Sequence, residues 1–134
     1  VELIPLAGRM KSGRPTVGKR LDEGARLEPG MRVLFRYRLS RRASVVLLGQ
    51  QQGGEVELLW RSESPRPARE SEVRANGRAL ALDPSRYHGT FRLAMVAGPE
   101  DGPPKATAID TLDEATLRKA CPSCGVDIAQ LEAP

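Results

Sequence analysis

Polar and apolar positions alternate most regularly over residues 31–39. There Met31, Val33, Phe35, Tyr37 and Leu39 share one face, and Arg32, Leu34, Arg36, Arg38 and Ser40 share the other. A period of two predicts a half-buried β-strand, and Glu28-Pro29-Gly30 just ahead of it supplies a turn. Ser44-Val-Val-Leu-Leu48 is a continuous apolar run and predicts a strand buried on both faces. Gln50-Gln51-Gln52-Gly53-Gly54 breaks that run, after which Val56, Leu58 and Trp60 alternate with Glu55, Glu57 and Arg61. Two apolar runs around a glycine pair predict a β-hairpin. Residues 62–71, with Pro65 and Pro67, form an exposed connection. Asn76-Gly77 turns the chain into a strand at 78–83, and a further strand at 90–97 carries Phe91, Leu93 and Met95 on one face.

Both ends of the chain are less regular. Residues 1–6 predict a first strand that Pro5 ends or confines to an edge, and the Gly- and Lys/Arg-rich residues 7–20 predict a loop or irregular edge. Thr111-Leu-Asp-Glu114 fits a capping box in which Thr111 accepts from a backbone N–H and Glu114 reaches back. Leu117, Ala120 and Cys121 then lie on one side of a helix that Pro122 and Gly125 stop. Val126 and Ile128 suggest a last short strand. Short strands separated by turn chemistry predict a mainly β fold, an antiparallel β-sandwich with one short C-terminal helix. The Pro-rich segment 98–105 is a loop rather than a boundary, because too little chain follows it, so residues 1–134 read as one domain.

Composition narrows the material for a site. Of 134 residues only Phe35, Phe91, Tyr37, Tyr87 and Trp60 are aromatic, so the core is built from Leu, Val and Ala, with little left to stack bases or sugars. No apolar stretch reaches the roughly 18 residues of a membrane helix. Because the chain starts at Val1 rather than Met, it reads as a piece excised from a longer protein, or as a processed one. The net charge of +4 is unevenly spread, with eleven Lys/Arg against four Asp/Glu in residues 1–50 and three against seven in residues 100–134. A positive front half is compatible with an acidic partner, and equally with charges scattered over solvated faces.

Cys121-Pro122-Ser123-Cys124-Gly125 is the motif with most chemical content, and four readings are open. In an oxidising compartment it is a local disulfide that fixes the helix exit. As a thiol-disulfide oxidoreductase the pair would be expected to open a helix, where the dipole lowers a thiol pKa, yet here it closes one. As one knuckle of a zinc ribbon it supplies two of four ligands, so a site would have to be shared between two chains. The fourth reading is a pair of reduced, unpaired thiols. His88 is the sole histidine, and no Gly-x-Ser-x-Gly elbow, Walker loop, Rossmann fingerprint or His-Glu-x-x-His motif accompanies it. The acidic pairs Asp22-Glu23 and Glu100-Asp101 fall in predicted loops, where they serve solubility. Neither catalytic residues nor a metal or cofactor site are therefore assigned. Arg32, Arg36 and Arg38, joined by Arg41 and Arg42, form a candidate interaction surface. Such a ridge suits phosphate, but sheet modules that bind nucleic acid also need an aromatic platform, and these aromatics fall on the apolar face.

Several segments together resemble a family of extracytoplasmic sandwich domains, found beyond the membrane helix of anti-sigma-factor-like regulators of myxobacteria and related in style to the DUF4384 domain. Leu27-Glu-Pro-Gly-Met-Arg-Val-Leu-Phe35 is similar to the family's "apolar-x-Pro-Gly-Asp-x-apolar-x-Phe" approach to a strand, and the hairpin over 45–60 also matches. Leu80-Ala-Leu82-Asp83 with Gly89-Thr-Phe-Arg-Leu93 resembles "Leu-Asp … Gly-x-Glu-x-Phe". Ala115-Thr-Leu-Arg-Lys-Ala-Cys-Pro-Ser-Cys-Gly-Val-Asp resembles a tail in which a helix precedes a Cys-containing strand. The resemblance spans residues 27–131, and Met31 and Thr90 stand where the family more often has an acid. It implies no catalytic residues. What it does imply is a membrane-anchored parent, a periplasmic location that favours the disulfide, and a sensory or protein-interaction role with a protein partner. A cytosolic nucleic-acid- or zinc-binding module is the alternative, and a thiol-disulfide oxidoreductase the second alternative.

Overall fold

The computed structural model describes residues 1–99 and 105–134. Two antiparallel four-stranded sheets face each other, as the alternation predicts. The first has the order β2-β1-β3-β6, from β1 (Glu2–Lys11), β2 (Arg14–Arg20), β3 (Met31–Arg38) and β6 (Glu70–Glu72). The second has the order β10-β9-β4-β5, from β4 (Ser44–Gln51), β5 (Glu57–Arg61), β9 (Thr90–Gly98) and β10 (Gly125–Glu132). A two-stranded ribbon, β7 (Arg74–Ala75) with β8 (Arg78–Ala79), turns at Asn76-Gly77, whose positive φ values of 54° and 76° suit the Asn-Gly pair. Leu3, Val33, Phe35 and Tyr37 of one sheet meet Val45, Leu47, Phe91, Leu93 and Met95 of the other to make the inter-sheet core.

A third layer explains why Ser44–Leu48 is apolar on both sides. Val46, Leu48, Ala94 and Val96 point away from the sandwich and are covered by Ile109, Leu112, Leu117 and Cys124. Leu117 belongs to the helix α1 (Glu114–Ala120). The cap of that helix is not Thr111: Asp113 accepts from the Thr116 N–H at 2.7 Å, while Glu114 pairs with Arg118 at 2.8 Å. Starting there puts Leu112 just before the cap and Leu117 in the first turn, both completely buried, so the two apolar residues staple the helix start. Ala120, expected beside Leu117, is exposed.

Other expectations are corrected. Residues 7–20 are not a loop: Ser12 and Gly13, at φ 52° and 76°, make a two-residue turn between β1 and β2. Pro5 neither ends β1 nor sits in an edge strand, since β1 lies between β2 and β3. The Pro5 carbonyl accepts from Leu21 just beyond the end of β2, so its missing N–H falls on the side where pairing stops. Leu58 and Trp60 do not share a buried face. A bulge opposite Leu47 and Leu48 lets Leu59 and Trp60 both pack on the core and leaves Leu58 46% exposed. The strand predicted at 78–83 pairs over Arg78–Ala79, donates from the Leu80 N–H to the Val73 carbonyl and makes a bridge from Leu82 to Val33. The connection 62–71 is not uniformly exposed: Ser62 is buried, its Oγ accepting from the Val45 N–H at 3.1 Å, and Glu70 already belongs to β6. The loop at 98–105 and the pair Glu100-Asp101 lie largely outside the described residues.

Candidate functional site

Cys121 is the C-cap of α1, its N–H donating to the Leu117 carbonyl, and the Cys124 N–H closes the next turn onto the Cys121 carbonyl. That turn brings the Cα atoms to 5.4 Å and the two sulfurs are bonded. Cys124 is buried in the cluster under α1, so the bond ties the helix exit to the start of β10. Of the four readings of the motif, the structure has the disulfide. A disulfide in a chain of this kind fits maturation outside the reducing cytosol, and no described helix is long and apolar enough to cross a membrane.

The five arginines of the predicted surface are not one ridge. Arg36 pairs with Glu70 at 3.0 Å, and Arg38 with both Glu70 at 3.1 Å and Glu2 at 3.3 Å; Arg20 adds a contact to Glu2 at 3.4 Å. The Arg36 hydrogen bond, with help from Arg38, holds the Glu70 carboxyl below the usual range against a smaller opposing effect of burial. Arg32 pairs instead with Asp83 at 3.5 Å and is separated from Arg36 by the buried Leu34, which Ala79 and Ala81 help cover. Arg41 and Arg42 lie in the turn after β3 and line a different cleft with Val1, Ser40, Ser123 and Gly125. The sheet face is thus a lattice of alternating charges whose arginines already have carboxylate partners.

His88 is exposed before β9, and its backbone N–H donates to Gln51 Oε1 at 2.9 Å. Glu23, predicted only to aid solubility, accepts from the Gln130 N–H at 3.0 Å and helps cover the outer edge of β10. Next to His88, Tyr87 crosses over β4 at Gly49, stacks on Phe91 with centroids 4.5 Å apart, and donates to Glu57 at 2.7 Å. Burial and then that Glu57 contact push the Tyr87 hydroxyl well above the ordinary tyrosine range. Arg86 completes the corner at 2.7 Å from Glu57.

One polar concavity is not apparent from sequence. On the outer side of the second sheet, register aligns residues into rows across β4, β9 and β10: Val46, Val96, Val126; then Leu48, Ala94, Ile128; then Gln50, Arg92, Gln130. The first two rows lie under α1 and its approach. The third is polar and opens into a cleft of about 560 Å³ that Gln52, Thr90 and Asp110 also line. Gln50, only 9% exposed, donates to the Gly54 and Asp110 carbonyls at 2.8 and 2.9 Å and accepts from the Leu112 N–H at 2.9 Å. Its amide therefore bolts the β4–β5 turn to the segment before α1. Arg92 donates to Gln130 Oε1 and to the Leu112 carbonyl, each at 3.2 Å.

In comparisons with known proteins the chain matches no family model, no curated protein and no solved structure.

Proposed function

We propose that the chain is a periplasmic sensory or protein-interaction domain of a membrane-anchored, anti-sigma-like regulator, without catalytic activity of its own. The observation that carries this reading is the Cys121–Cys124 bond, which clamps a helical layer onto a β-sandwich and suits an export-side compartment. The quoted motifs that resemble the extracytoplasmic sandwich family support it: the Glu28–Gly30 turn leads into β3, and the helix does precede the Cys pair and β10. Carboxylate pairing of Arg36 and Arg38 lowers the charge left for phosphates, and bonded sulfurs offer no thiolate to zinc, so both features favour this reading over the nucleic-acid or zinc alternative.

Two measurements test it. Intact mass after alkylation without reductant, on protein exported to a periplasm, is expected to show no adduct; full labelling of both cysteines would remove the compartment argument. The coding sequence upstream of Val1 in the parent is expected to carry a membrane helix within a short distance, and a parent without one would sink the anchored-regulator reading.

A further inference from the structure

The guanidinium of Arg92 occupies an unusual position for a surface arginine. It is half-buried on a sheet face, its Nε and Nη1 are held by a side-chain amide and a backbone carbonyl, and among the described contacts it has no ion pair. Neutral acceptors orient a charge without cancelling it. The Asp113 carboxylate is near enough to feel that charge, but its Oδ1 is committed to capping α1. Glu132 is likewise taken up by Thr90 at 2.7 Å. Among the described residues no contact of Nη2 is seen, and the residue lines the cleft. The floor beside it is rigid, because both N–H groups of the Gln50 amide and one lone pair of its Oε1 are tied to backbone. A fixed, half-desolvated guanidinium in a concave polar site favours a planar carboxylate, and the cleft volume falls in the roughly 300–1,000 Å³ span of small-molecule sites.

Charge balance narrows the ligand class. Among the described residues lining this cleft, Arg92 is the cation and Asp110, exposed at its rim, the anion. A multiply charged phosphate would find too little positive charge here, whereas a single carboxylate on a polar or amine-bearing body would be matched. We propose that the cleft binds a small carboxylate of the amino-acid or peptide-end class, with the carboxylate on Arg92 and the glutamine amides around its body. This deepens the sensory reading and rests on it for its biological use, although it can fail while the compartment and anchoring tests above succeed.

The test is a chemical-shift titration of isotopically labelled protein with three probes: alanyl-alanine, its N-acetyl derivative and its C-terminal amide. Both carboxylate probes are expected to shift the amides of Gln52, Gly53, Thr90 and Arg92, and the amide probe to bind about tenfold more weakly or not at all. Tighter binding of the free dipeptide than of its N-acetyl form would identify a zwitterion held also by Asp110. Equal binding would identify a chain end held by its carboxylate alone, and either result supports the proposal. Arg92→Gln should weaken both carboxylates by about tenfold. Gln52→Glu, which alters no hydrogen bond of the fold described above, should weaken them through repulsion, with the effect reduced by added salt. No cleft shifts with either carboxylate, equal binding of the amide probe, or unchanged binding in both variants would overturn the assignment.

Discussion

Reducing the Cys121–Cys124 bond should loosen the helical layer by an amount set by its short loop. The cysteines are separated by three positions, and the chain-entropy relation for a ring of about four residues gives about 2 kcal/mol at 25 °C. Reduction is the cleanest perturbation, because the released Cys124 thiol keeps its place among Val46, Leu48 and Leu117 while only the covalent constraint is lost. Unfolding entropy near the midpoint scales at about 2.1 cal/mol/K per residue, so for a chain of this length that loss lowers Tm by roughly 7 °C. Thermal scans by circular dichroism with and without a phosphine reductant measure it. Hydrogen exchange supplies the location: the Cys121 and Cys124 N–H groups, which close on Leu117 and Cys121, should lose protection before the amides of β4 and β9. A Tm change below about 2 °C, or a loss of protection spread evenly over both sheets, would refute the idea that the clip holds α1 in place.

Leu117→Ala removes the helix residue that is wholly buried against the second sheet, and should cost about 2–5 kcal/mol in urea unfolding; a loss under about 1 kcal/mol would mean that α1 is not a packed layer. At Gly49 an added Cβ would lie 2.6 Å from the Tyr87 hydroxyl and 2.9 Å from a Leu59 methyl. Gly49→Ala should therefore destabilise by about 1–3 kcal/mol, with part of that recovered in a Tyr87→Phe background. Strict additivity in this double-mutant cycle would contradict the close approach. Because the Tyr87 hydroxyl is raised in the fold by burial and by Glu57, its contribution is fully present below about pH 10 and fades as pH climbs above that, when the unfolded chain ionises first. Stability measured across the alkaline range should fall less steeply in Tyr87→Phe, and an unchanged slope would count against the buried tyrosine.

How much of this was legible depended on whether the information was local. β3, the both-faces-buried β4, the Asn76-Gly77 turn and a helix ahead of the Cys pair all follow from period and turn chemistry within a few residues. The β1–β2 hairpin was missed because β2 is almost wholly exposed and carries no apolar alternation; the Ser12-Gly13 pair was the available signal. The helix start was displaced because Thr111 and Asp113 are both acceptable caps. Burial of Leu112 decides between them, and that depends on the sheet beneath. The bulge at Leu59 and the pairing of Arg36 and Arg38 with Glu70, more than thirty residues away, are likewise products of tertiary register.

The polar row shows the same limit in its sharpest form, and also the clue that was there. Gln50 sits in a Gln-Gln-Gln-Gly-Gly run that looks like a turn, yet it is in phase with Val46 and Leu48. Arg92 is in phase with Ala94 and Val96, and Gln130 with Val126 and Ile128. Each strand therefore departs from its own apolar face at one end, and no single strand says that these departures coincide. Register makes them neighbours, and the covering layer stops before it reaches them, leaving Gln50 buried but bonded and Arg92 oriented but, among the described residues, without an ion pair. If the row served only to finish a surface, replacing Arg92 by a neutral Gln should cost the bonds to Gln130 and the Leu112 carbonyl and nothing more. A loss of carboxylate binding in the folded variant is the result that separates a site from a surface.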